Sequence, residues 1–132
     1  MAVDAHGDKI QRYRGQSLRF LEGASREIRA GRWRQCEELL WASLTLAVKG
    51  VALSRGEDLE QESAVRAYAT RLGQEQRDRR IREAFTQLSS VTDAADRAQE
   101  YRGRAEYLAF LLDDLSATIQ RLWELVPGQD AE

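Results

Sequence analysis

A chain of 132 residues makes one domain in the usual range of about 100–200 residues, and 42% hydrophobic residues beside 32% charged ones exclude disorder. Nine Gly and one Pro are too few for the turns of a β-sandwich or barrel. One Cys excludes a disulfide framework and one His leaves no pair for a metal, while a net charge of −2 excludes a strongly basic nucleic-acid glove. The expectation is an all-α domain without metal or cofactor. The first residues lack both the basic and the apolar parts of a signal peptide. The longest apolar stretch, 39–53, is interrupted by Lys49 and falls short of the roughly 20 residues of a membrane span. A cytoplasmic chain with no membrane contact is expected.

Helix one is predicted over 9–30, after a flexible segment 1–8. Ile10, Tyr13, Ser17, Leu21, Ala24 and Ile28 recur every three or four residues as one stripe, and Gly31 supplies a left-handed stop. Helix two, 32–55, is apolar on most sides and belongs at the centre of the fold; Arg55-Gly56 closes it. After the acidic stretch 57–62, Ser63 opens a short helix three carrying Val65, Tyr68, Ala69 and Leu72, with Gly73 as its end. Helix four, 74–89, turns Ile81, Ala84, Phe85 and Leu88 inward; Arg77, Arg79, Arg80 and Arg82 alternate outside with Glu75, Asp78 and Glu83. Ser89-Ser90-Val91-Thr92-Asp93 reads as a break.

Helix five is predicted over 93–126. Tyr101, Leu108, Leu115 and Leu122 repeat every seven residues, as do Ala105, Leu112, Ile119 and Val126. At about 1.5 Å per residue it would be about 50 Å long, against a radius of gyration of about 14 Å for a compact domain of this size. It must therefore kink, project or lie along a partner. Tyr107, Phe110, Leu111 and Trp123 fall off the heptad seam, and this second apolar surface points to a homodimer interface. Pro127-Gly128 ends the helix, leaving 127–132 as a flexible tail. The expected architecture is an antiparallel bundle of about five helices over 9–126, with a long C-terminal helix.

Helix two carries one polar or small stripe. Gln35, Glu38, Ala42, Thr45 and Lys49 fall within a sector of about 80°. Such a stripe is either the water-facing side of the helix or the lining of a groove in which Lys49 meets an anion and Glu38 or Gln35 orients it. Cys36, among apolar neighbours, reads as a core residue, and Arg77 with Arg80 share a face that suits a phosphate. The adjacent pairs Glu37-Glu38 and Asp113-Asp114 point about 100° apart and suit joint acid–base or metal work poorly.

The segment from Gly31-Arg32-Trp33-Arg34-Gln35 through Glu38 and Trp41 to Val48-Lys49 and Arg55-Gly56 resembles the central helix of the archaeal PaREP family, type one. Gln35, Glu38, Trp41, Lys49, Arg55 and Gly56 fall on that pattern, and the order of helices agrees. The family is related to the HEPN helical domains, named for nucleotide binding, so the resemblance implies a HEPN-like bundle. Where the family tends to place a Ser-His pair, this chain reads Glu62-Ser63-Ala64. HEPN ribonucleases place a His four to six residues after an Arg, and Arg102-Gly103-Arg104-Ala105-Glu106-Tyr107-Leu108 lacks it. The one histidine, His6, lies in the N-terminal segment expected to be flexible. Without such a His the ribonuclease loses its general acid and base. The expected function is therefore a non-catalytic HEPN-like binding module, homodimeric, engaging a nucleotide, a nucleic acid such as RNA, or a partner protein. Its candidate ligand-binding residues are Gln35, Glu38, Lys49 and Arg102, with no catalytic or metal-binding set. Two alternatives stay open: a toxin-type ribonuclease using Arg102 with Tyr107 or Glu106 in place of His, and a structural adaptor without a ligand. A nucleotidyltransferase is the partner protein that a toxin–antitoxin pairing would supply.

Overall fold

The structure is a computed structural model that describes the backbone of residues 5–98 and 101–127 and the side chains of 7–89, 106 and 109–127. It contains five helices: α1 (Ala5–Arg29), α2 (Trp33–Ser54), α3 (Glu62–Gln76), α4 (Arg79–Ala98) and α5 (Tyr101–Glu124). No strand occurs among the described residues, as the scarcity of turn residues requires. The centre is α2, which packs against all four other helices. Leu40, Leu44, Val48 and Val51 lie fully inside, because a helix apolar on most sides is stable only when covered on most sides.

Three helix ends share one construction. The amides of Gly31 and Arg32 donate to the carbonyls of Ile28 and Glu27, those of Gly56 and Glu57 to Leu53 and Ala52, and those of Arg77 and Asp78 to Gln74 and Gly73. Each is a Schellman turn around one left-handed residue. Gly31 (φ 80°) and Gly56 (φ 87°) occupy two of these positions, and Arg77 (φ 53°) the third. Arg77 is exposed and makes no ion pair among the described residues. Arg77→Gly should therefore stabilise the chain by up to about 1 kcal/mol, because glycine removes the left-handed penalty at some cost in unfolded-chain entropy. A higher urea midpoint at unchanged slope is the expected reading; a lower one would show that the arginine side chain holds the turn.

Three predicted boundaries are corrected. Helix α1 opens at Ala5, inside the stretch 1–8 expected to be flexible. Gly73 does not end α3, which runs on to Gln76. A Cβ on Gly73 would lie 2.5 Å from the Arg82 backbone nitrogen, so this glycine is where α4 crosses α3 backbone to backbone. Asp78 then caps α4: its Oδ1 accepts from the amides of Arg80 (3.0 Å) and Ile81 (3.2 Å). The break expected at 89–93 is absent, and α4 continues to Ala98. Ser, Thr and Asp mark a helix end only where the chain leaves the helix, and inside one they cost only about 0.5 kcal/mol each. The last helix is accordingly 24 residues long, about 36 Å, and close to α2 at 22 residues. The expectation of a helix too long for its own domain does not hold.

The inner face of α5 is broad because it packs against α1, α2 and α4. Of the predicted heptad positions, Leu112, Leu115, Ile119, Leu122 and Val126 are buried. Leu111 (1% exposed) and Trp123 (3%) join them in the core, which corrects their placement on a dimer surface. The Trp123 ring lies over Gly50 of α2, where a Cβ would come within 2.4 Å of it. Its Nε1 donates to Ser17 Oγ at 3.1 Å. Ser17 Oγ donates to the Ser43 carbonyl (2.9 Å) and Ser43 Oγ to the Ser17 carbonyl (2.7 Å). Both serines are completely buried, and this reciprocal pair satisfies both hydroxyl protons. It joins α1 to α2 in antiparallel register, with Ser17 opposite Ser43.

Candidate binding groove

The register fixed by Ser17 and Ser43 places Tyr13 beside Lys49 and Phe20 near Trp41. Between α1, α2 and the chain entering α3 lies a groove of about 470 Å³. Ala42, Thr45, Leu46 and Val65 form its floor; Gln16 and Phe20 line the α1 side, and Glu60, Gln61 and Glu62 the other. Trp41 and Lys49 stand at its two ends. The volume falls in the range of sites that take small molecules or short segments of a partner.

Each end is built by specific contacts. The Lys49 ammonium sits 5.5 Å from the centre of the Tyr13 ring, and that of Lys9 sits 5.7 Å from it. Lys9 also pairs with Asp58 at 3.3 Å. The Asp58 carboxylate, helped by Tyr13, holds the Lys9 ammonium above its ordinary pKa. Lys49 is half-buried and has no carboxylate within ion-pair distance among the described residues. At the other end, Trp41 meets Phe85 edge-to-face at 5.3 Å, while the Arg66 guanidinium lies 4.9 Å from the Trp41 ring. Arg66 is itself held by Glu62 at 2.6 Å.

The polar stripe predicted on α2 therefore divides. Its later half, Ala42, Thr45 and Lys49, lines the groove, because the chain after Gly56 folds back over that half. Gln35 and Glu38 are exposed and lie outside the groove. They do not share the groove with Lys49. Glu60, Gln61 and Glu62 stand at the groove in their place. The side chains of Arg102 and Tyr107 lie outside the described residues. Phe110 is 67% exposed, the large hydrophobic side chain left at the surface among the described residues. Arg80, a candidate for phosphate, is engaged by Asp114 at 3.2 Å.

Cys36 is completely buried, and burial, with Glu37 and Glu27 adding to it, pushes its thiol up to about 12. The thiol stays protonated near neutral pH and is a core group, not a nucleophile. Among the described residues, no three His, Cys, Asp or Glu side chains come together to hold a metal ion. No helix among them is long and apolar enough to cross a membrane.

Gln16, Phe20, Glu60 and Val65 carry no local signal of a site in the sequence. They meet only through the register of α1 against α2 and the return of the α2–α3 connection. No family model, curated protein or solved structure matches the chain.

Proposed function

We propose that the chain is a non-catalytic helical binding module that works by association through this groove. The observation that carries it is Lys49, a half-buried cation without a carboxylate partner among the described residues. It stands at the end of a groove that leaves Phe20, Trp41 and Leu46 partly open to water. A cation beside partly exposed aromatic and aliphatic surface offers a ligand both a charge-assisted hydrogen bond and apolar burial. The likeness of 31–56 to the PaREP pattern supports a helical module of this class, and the missing histidine supports association over catalysis.

The indole N–H signals of Trp33, Trp41 and Trp123 make three separate NMR reporters. Titration with phenylacetate, an aromatic ring bearing one carboxylate, should shift Trp41 and leave Trp123, whose indole is occupied by Ser17. Lys49→Ala should weaken that binding by about two- to fivefold, the usual worth of a partly exposed ion pair. Shifts absent from Trp41, or equal at all three indoles, would contradict the proposal.

A further inference from the structure

Resting on that reading, we infer that the occupant of the groove is an amphipathic helix of a partner protein, acidic along one flank and basic along the other. The groove is lined by glutamates on one side, Glu60 and Glu62, and flanked by arginines on the other. Arg12 and Arg19 stand on the outer edge of α1, seven residues apart and hence on one face, about 10 Å from each other. Gln16, between them, lines the groove. The antiparallel register sets Arg12 at the Lys49 end and Arg19 at the Trp41 end. Both arginines are exposed, and neither makes an ion pair among the described residues. On the other side the groove is lined by Glu60, Gln61 and Glu62, which follow Glu57-Asp58-Leu59 in the chain. Asp58 is taken by Lys9 and Glu62 by Arg66, while Glu60, which lines the groove, is exposed and without an ion pair among the described residues.

A ligand of a single charge sign gains at one wall and loses at the other. A polyphosphate would meet Lys49 and the arginines, but also Glu60 and Glu62, which line the same space. A helix lying along the floor presents two flanks and satisfies both walls. From Trp41 to Lys49 the groove runs about 12 Å, two helical turns, which seats apolar residues spaced i, i+4 and i+7. A second copy of the chain is a poorer fit. Among the described residues its surface offers Phe110 as a large exposed hydrophobic, and not an apolar stripe along a helix. Opposed walls also select among partners, since a helix with the wrong charges is repelled along its length.

The test uses three synthetic 16-residue helical peptides with the same leucine stripe: one with glutamate on one flank and lysine on the other, one with glutamate on both, and one with lysine on both. Reversing a docked helix end for end exchanges its flanks, so the mixed peptide needs no assumption about direction. Binding is followed at the Trp41 indole of the full chain. The mixed peptide should bind about fivefold or more tightly than either uniform peptide, and 0.5 M salt should shrink that preference. The double variant Arg12→Glu with Arg19→Glu makes both walls acidic and should switch the preference to the all-lysine peptide. Equal binding of the three peptides, or no switch in the variant, would overturn the inference while leaving the groove as a binding site. So would saturation of Trp41 by ADP, or a dimer that Ala42→Arg dissolves. If neither phenylacetate nor any peptide moves Trp41, the proposed function fails as well.

Discussion

Trp123→Ala should cost about 3–5 kcal/mol of folding stability, lower the melting temperature by about 10 °C or more, and leave the mass measured by light scattering unchanged. The side chain is buried inside the chain's own bundle, with its ring over Gly50 and its N–H on Ser17. Truncation leaves a cavity against a glycine, which has no side chain to refill it. The Ser17 and Ser43 hydroxyls still satisfy each other, so the loss comes from packing more than from an orphaned polar group. Trp123→Phe keeps most of the ring and should cost distinctly less. An interface tryptophan would behave in the opposite way, changing the mass while barely altering the stability of the isolated chain. That outcome would place Trp123 outside the core.

Gly73→Ala should destabilise the chain by about 2–3 kcal/mol, although alanine is ordinarily the better helix former by about 0.5–1 kcal/mol. The added methyl would lie 2.5–2.6 Å from the nitrogen, Cα and Cβ of Arg82. Two of these are backbone atoms that cannot rotate aside, so α4 must lift from α3 and loosen Leu72 and Ile81, both 1% exposed. Gly23→Ala is the internal control. There the nearest obstacle is Leu39 Cδ1 at 3.2 Å, the tip of a flexible side chain, so the substitution should be close to neutral. Urea unfolding of both variants separates the effects; equal midpoints would mean that the crossing of α3 and α4 is looser than the structure shows.

These two sites mark how far the sequence could be read. The inward faces of the helices follow from spacing alone: Leu40, Leu44 and Val51 of α2, Val65, Tyr68 and Leu72 of α3, and Ile81, Ala84, Phe85 and Leu88 of α4 are all buried. Helix ends at Gly31 and Gly56 were legible for the same local reason, since only a left-handed residue closes that turn cheaply. Gly73 misled because a glycine in a helix can mean a stop or a close approach, and only the position of Arg82 in the fold distinguishes them. The serines and threonine near 90 misled because such residues mark a helix end only where the chain leaves the helix, and inside one their cost is small. Trp123 and Leu111 lie off a strict heptad seam, yet α5 is covered by three helices, so its buried face is wider than the seam.

The groove was half legible. Lys49, Thr45 and Ala42 stood out as polar or small positions on an apolar helix. Which part of the stripe becomes a site depends on the chain from Gly56 to Val65 folding back across it, and no spacing on α2 records that. The opposed charges are likewise a property of two segments more than thirty residues apart in sequence, Arg12 with Arg19 beside Gln16 and Glu60 with Glu62.

The proposal that this chain works by association and not as a ribonuclease is tested most directly, on its second half, by incubating the purified protein in excess with a labelled single-stranded RNA at neutral pH. The RNA should remain intact, because the chain has one histidine, near its N-terminus, and its one thiol is buried and protonated. Cleavage that survives repeated purification and disappears on Arg102→Ala would contradict it.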